Sequence, residues 1–263
     1  MKQIYLSVLL MCMGMSLAQA GVRIESVTRN IASGKEGAAQ IMYVQGGALR
    51  VETSNGEIML FNNDTMYLID NADRSYRSID KATMEQLALT LGAAMQQMQA
   101  QLAKLPPEQR AQMEQLLGSR LGGAAAQKPD VYESVDTGRS DSVDGRACRT
   151  WQIKRNGMID SEVCVVPYAS LGGKEDIQAL LLRMAEMFES LTKALPQAAA
   201  SVTGAMHAYT RINGYPVRSR GFTAGKPDGD EEVLKSWKEQ AVPATMFEPP
   251  AGYKRINLAD ELK

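Results

Sequence analysis

From Val22 to Ile79 the chain consists of runs that alternate apolar and polar residues with a period of two or are continuously apolar: VRIESVTRNI, AAQIMYVQ, ALRVET, EIMLF, TMYLI and SYRSI. Alternation of this kind puts successive side chains on opposite faces of a strand, so the pattern predicts a strand for each run. Gly46-Gly47, Asn55-Gly56, Asn62-Asn63-Asp64 and Asn71-Ala72-Asp73 separate the runs, and these residue types accept the backbone angles of tight turns. Connections this short cannot make parallel crossovers, which makes the segment an antiparallel meander.

At Asp80, a suitable N-cap, the period changes to that of a helix. Met84, Leu87, Leu91, Met95, Met98, Leu102 and Leu105 follow at spacings of three and four and form one apolar stripe. Pro106-Pro107 ends that helix and starts another, running through EQRAQMEQLLGSRL to Gly122-Gly123, because proline fits the first turn of a helix and not its interior. The pair makes a helical insertion over about 80–121. After the linker GGAAAQKPD, strand resumes at Val131. A further helix over 174–195 buries Ile177, Leu180, Leu181, Met184, Met187, Phe188, Leu191 and Leu195. Strands in YPVRSRGF and EVLKSWKEQAV follow, and MFEPPAGYKRINL reads as an extended arm. The chain is therefore α+β. About eleven strands with one apolar face curl around a core as a curved antiparallel sheet, an unclosed β-barrel covered by helices, in a single domain over 21–263.

Lys2, the apolar stretch of residues 4–17 and the small residues Ala18-Gln19-Ala20 have the form of a secretory signal, with cleavage predicted between Ala20 and Gly21 and export to the periplasm. Cys12 follows Met11 where a lipidation site would have a small residue, so the expected product is not lipidated. Among the 263 residues, 29 are basic and 30 acidic. That balance gives no electrostatic footprint for nucleic acid, which needs clustered Lys and Arg.

Removing the signal leaves Cys148 and Cys164, an even count in a compartment that permits disulfides. ACRTWQIKRNGMIDSEVCVV reads as two strands around a three-residue loop, Arg155-Asn156-Gly157. In that register Cys148 faces Cys164, Thr150 faces Glu162 and Gln152 faces Asp160. The bridge then lies on a polar face, away from Trp151, Ile153, Ile159 and Val163. It should contribute about 3 kcal/mol by closing its loop.

Candidate chemistry is sparse. His207 is the only histidine, there is no G-x-S-x-G elbow, and the chain reads as no enzyme, with neither cofactor nor metal. The acidic run Asp228-Gly229-Asp230-Glu231-Glu232 lacks the ligand spacing of a calcium loop and reads as a solvated hairpin turn led by Asp228-Gly229. Methionine is unusually frequent, with 16 in the chain and helical i, i+3 pairs at Met95/Met98 and Met184/Met187. Flexible thioethers suit apolar ligands of varied shape, and they equally fill gaps in a core. Helices lidding a barrel would aim Met95, Met98, Met184, Met187 and Phe188 into its cavity, with Trp151, Tyr43 and Tyr67 as further candidates for the lining.

IMYVQGGALRVE, TMYLIDNADRSY, LPPEQRAQMEQ, DGRACRTWQI and VPATMFEPPAGYKR together resemble a bacterial domain of unknown function related to the periplasmic lipoprotein carriers (LolA/LolB-like). The resemblance implies an unclosed antiparallel barrel with a helical lid that holds acyl chains in an apolar cavity. The expectation is a non-enzymatic periplasmic protein that binds an apolar molecule or lipid. The alternative is an envelope interaction protein with a packed core, binding a protein partner through its helical hairpin.

Overall fold

Twelve strands form one sheet in the computed structural model, which describes residues 20–110, 112, 130–194, 204–205 and 207–257. The alternating runs fold as β1 (Ala20–Asn30), β2 (Glu36–Gln45), β3 (Ala48–Thr53), β4 (Ile58–Asn62), β5 (Thr65–Asp70) and β6 (Ser75–Ile79). Then come α1 (Lys81–Leu102), β7 (Tyr132–Val143), β8 (Arg146–Arg155), β9 (Met158–Val166), α2 (Lys174–Ala194), β10 (Tyr215–Thr223), β11 (Lys226–Ala241) and β12 (Lys254–Asn257). The sheet order is β12-β6-β5-β4-β3-β2-β1-β11-β10-β9-β8-β7. Two antiparallel meanders are thus joined where β1 pairs β11. The twelfth strand is the arm after Phe247, which adds to β6 in parallel, with Lys254 opposite Ser75 and Ile256 opposite Arg77.

The sheet is strongly curled. β8 stands three strands from β11, about 14 Å in a flat sheet. Yet the Arg146 guanidinium donates to the carbonyls of Leu234 and Lys235 on β11 at 3.4 and 3.1 Å. Asp144 in the β7–β8 turn likewise accepts from Lys235 at 2.7 Å. Strands from both meanders share one cluster that includes Ile24, Val44, Phe61, Val143, Cys148 and Val233. Each buried Val, Ile or Phe of this cluster contributes about 1.5–3 kcal/mol by leaving water.

The helices cover one end of the strands. Asp80 caps α1, its Oδ1 accepting from the Thr83 amide at 2.8 Å, and this bond holds its carboxyl below the usual range. α2 enters over β1 and the β2–β3 turn, where the Gly46 amide donates to Asp176 at 2.6 Å. Gly173, just before α2, has φ +63° and lies so close to β1 that a Cβ would come within 2.0 Å of Val22. Only glycine lets the helix start there.

Several sequence expectations need correction. The cysteine hairpin turns on two residues, Asn156 (φ 54°) and Gly157 (φ 82°), because adjacent left-handed residues close a hairpin without a third. Thr150 therefore faces Cys164 and Gln152 faces Glu162, while Asp160 is the extra residue of a bulge. The Cys148–Cys164 disulfide forms diagonally, with a Cα separation of 5.4 Å. It lies in the central core and not on a polar face, because the β8–β9 pair is covered on both sides. The second hairpin turns at Ala224-Gly225, both left-handed, and residues 228–232 run along β11. The α1 stripe is narrower than its spacing suggests: Met84, Ala88 and Leu102 are buried, while Leu91 is exposed. Helix resumes at Pro107 over 107–110, and most of the expected length of this second helix lies outside the described residues, as do Leu195 and residues 1–19.

Candidate ligand pocket

At the strand ends opposite the helices, β3 to β6 enclose an open pocket of about 730 Å³. Its floor follows from register. Val51 faces Met59, Met59 faces Leu68, and Leu68 faces Arg77, and residues directly opposite on paired strands project from the same face. Val51 is a buried member of the central core and Met59 packs against it, so the floor is an extension of that core that loses its cover. Leu68 is 39% exposed. Thr53, Asn55, Glu57, Asp70 and Asn71, from the two flanking turns, form a polar rim.

The rim is held by hydrogen bonds. Asn71 donates to the Gly56 carbonyl at 2.9 Å and accepts from the Tyr253 hydroxyl at 3.0 Å, tying the β3–β4 turn, the β5–β6 turn and the C-terminal arm together. Asp70 accepts from the amides of Ala72 and Asp73 at 3.0 and 3.1 Å. Among the described residues lining the pocket, Arg77 is the one cation. The volume falls in the range of small-molecule sites, about 300–1,000 Å³, and an apolar floor is ringed by the polar rim and Arg77.

None of the eight residues expected to line a cavity contributes to this pocket. Met95 and Met98 are half-buried on α1. Met187 is buried in the central core, and Met184 and Phe188 pack beside it. Tyr43 packs on Ala48, Val242 and Phe247. Tyr67 contacts Tyr76 edge-on at 6.0 Å, on the face of β5 opposite Leu68. Trp151 lines a separate depression of about 380 Å³ with Val165, Pro167 and Ile212. The residues that sequence reasoning missed are Met59, Leu68 and Arg77. Their signal was the turn chemistry, which fixes the register and so lines them up.

The other meander carries charge at the corresponding end. Glu231 is 4% exposed and accepts from Arg29 Nε at 2.7 Å and from Arg220 Nε at 2.5 Å. Burial pushes its carboxyl up, but these two guanidiniums outweigh it and hold the group below its usual range. Arg218 bonds Asp141 at 2.8 Å, and Arg139 pairs with Glu162. His207 is exposed on a short helical segment. Among the described residues, no three His, Cys, Asp or Glu side chains gather as a metal would need, and no helix is long and apolar enough to cross a membrane.

No family model matches the chain, and no curated protein does. Among solved structures, it is similar to an uncharacterised conserved protein from Thermus thermophilus, at 7% identity over 91% of each chain and a TM-score of 0.43. PNGF-II, in two crystal forms, is similar at 10% and 9% identity over 90% and 92% of this chain. Those matches cover 31% and 33% of the PNGF-II chain, with TM-scores of 0.38 and 0.37.

Proposed function

We propose that this chain is an exported, non-enzymatic binding protein that takes an apolar, acyl-chain-like molecule into the β3–β6 pocket. The observation that carries the reading is the floor row Val51-Met59-Leu68, buried at Val51 and exposed at Leu68, where core-type side chains continue into a pocket of about 730 Å³ that neither α1 nor α2 lines. Such surface costs free energy in contact with water and recovers it when an apolar ligand covers it. In this reading the signal is cleaved between Ala20 and Gly21, and β1 then begins at Gly21, paired with Gln240. The mature protein works in the periplasm. The test is native mass spectrometry of protein taken from that compartment, with lipid analysis of whatever departs. A discrete adduct of lipid mass is expected, and a bare mass in repeated preparations ends the reading.

One observation favours a second reading, an envelope protein that binds a partner through its helices. Leu89 on α1 and Leu182 on α2 are 74% and 68% exposed. Loss of a co-purifying protein in Leu89→Glu would support it.

A further inference from the structure

We infer that the occupant of the β3–β6 pocket is a cationic amphiphile: one apolar chain on the row Val51-Met59-Leu68, with a primary ammonium head at the carboxylates of Glu57 and Asp70. The inference rests on the reading of that pocket as the ligand site and adds the chemistry of the head.

Two parallel rows on one face of the sheet supply the argument. The first is the apolar floor, Val51, Met59 and Leu68, facing one another in turn across β3, β4 and β5. The second lies two residues further along each strand, toward the rim. The Thr53 amide donates to the Glu57 carbonyl at 3.0 Å, which carries the β3–β4 register one step past Glu52 and Ile58. Glu57 likewise comes opposite Asp70, one step past Ile58 and Ile69, and Asp70 faces Ser75 on β6. Residues two apart on a strand share a face, so Thr53, Glu57, Asp70 and Ser75 stand beside the floor, about 7 Å along the strands. A chain lying on the first row brings its head to the second.

The second row is rich in acceptors. Among the described residues neither Glu57 nor Asp70 enters an ion pair, and Asp70 engages the amides of Ala72 and Asp73 through Oδ1 alone. Like charges directly opposite on paired strands repel, and a cation between them removes the repulsion. Ser75 is an independent sign. It is 3% exposed, and its hydroxyl is one of two buried side-chain polar atoms among the described residues that have no hydrogen-bond partner. Such a group is rare in a native fold, and beside Asp70 it offers one more oxygen to an N–H donor. An ammonium carries three donors and no acceptor, which matches two carboxylates and a hydroxyl. Arg77, the one cation among the described residues lining the pocket, already takes part in an interaction of its own. Lys254 lies beyond Ser75 on β12, two strands and about 10 Å from Asp70. The unmatched charge of the pocket is therefore negative.

Calorimetric titration of the mature protein with a long-chain primary alkylammonium, the alcohol of the same chain length and the matching fatty acid tests this. The ammonium should bind roughly tenfold or more tighter than the alcohol, the ratio that a hydrogen bond to a charged group supplies, and the acid more weakly still. Glu57→Gln combined with Asp70→Asn should erase the preference for ammonium over alcohol. Asp70→Asn keeps an oxygen for the amides of Ala72 and Asp73, so the turn is retained. Equal binding of ammonium and alcohol to the wild-type chain overturns the cationic head, and so does tighter binding of the acid. Neither result needs a variant that folds. A preference that survives the double substitution overturns it as well. Leu68→Asn, which changes no charge, separates this from failure of the site itself, because it should weaken ammonium and alcohol alike. If it does so while the wild type shows no preference, the pocket reading stands and the cationic head falls. If no probe binds, or binding ignores Leu68→Asn, both fall.

Discussion

At the strand ends that α1 and α2 leave uncovered, the two meanders carry opposite chemistry. Where β1, β9, β10 and β11 come together, Arg29, Glu162, Arg220 and the buried Glu231 are paired across strands. Across β3 to β6 the facing row is Val51, Met59, Leu68 and one Arg77, buried at Val51 and exposed at Leu68. The charged wing is closed on itself. Arg146, Asp144 and Lys235 join the β7–β8 turn to β11, and each carboxylate named there has a cationic partner. The apolar wing is finished on its far face, where Phe247, Val242 and Tyr43 pack together, but its near face ends in exposed leucine. One wing satisfies its own groups and needs nothing further; the other has apolar surface that a ligand would complete.

Glu231 is the centre of the charged wing, and its removal should have the largest effect. Glu231→Ala leaves Arg29, Arg218 and Arg220 crowded around a vacated carboxylate site, and it should cost about 3–4 kcal/mol of stability in urea denaturation. An unchanged midpoint would mean that the pairs do not hold that wing. Replacing both Cys148 and Cys164 by alanine should cost about 2–3 kcal/mol, since the bridge closes a short loop in the unfolded chain.

Acid offers a gentler probe of the same wing. Asp141, Asp144 and Glu231 all have carboxyls below their usual values, Asp141 through the Ser142 amide and Arg218, Asp144 through Lys235, and Glu231 against its burial through Arg220 and Arg29. A depressed folded value means that stability is fully present above the unfolded value and is lost as pH falls through the folded one. The melting temperature should therefore be level from pH 7 to about 5 and fall below about 4.5, the ordinary glutamate value, and Glu231→Gln should flatten that fall. Smallest in stability is Leu68→Glu, within about 0.5 kcal/mol because the side chain is already 39% exposed. Its effect on acyl binding should nonetheless be at least tenfold, and that dissociation of stability from binding is what the comparison predicts for an unfinished surface.

How far the residues foretold this varies with the kind of signal. Alternation and turn residues gave the α+β class and the meanders correctly, because Asn-Gly and Gly-Gly pairs dictate local backbone angles. The Cys148–Cys164 pair was legible as a pair, yet its register was not, since Arg155 looks no different in a strand than in a loop. The Ala224-Gly225 turn was missed in favour of Asp228-Gly229 because alanine rarely takes a left-handed conformation, and the acidic run is tolerable in a strand only once Arg29 and Arg220 are known to lie beside Glu231. β12 is four residues long and pairs Lys254 with Ser75, far back in the chain, so no local pattern announces it. The pocket was illegible for a related reason. Met59 and Leu68 alternate as core residues do, and only the end of the helical cover distinguishes them. Methionine abundance drew attention to α1 and α2 instead, where Met187 simply fills core.

The central claim is a location, and photocrosslinking measures it most directly. A long-chain alcohol bearing a diazirine near the end of its chain, bound to the mature protein and irradiated, should mark peptides spanning residues 49–61 and 66–79, with labelling competed by unmodified alcohol and lost in Leu68→Glu. Competed labelling confined to the helices around Met95, Met98, Met184 and Met187, or to the face around Trp151, would contradict it.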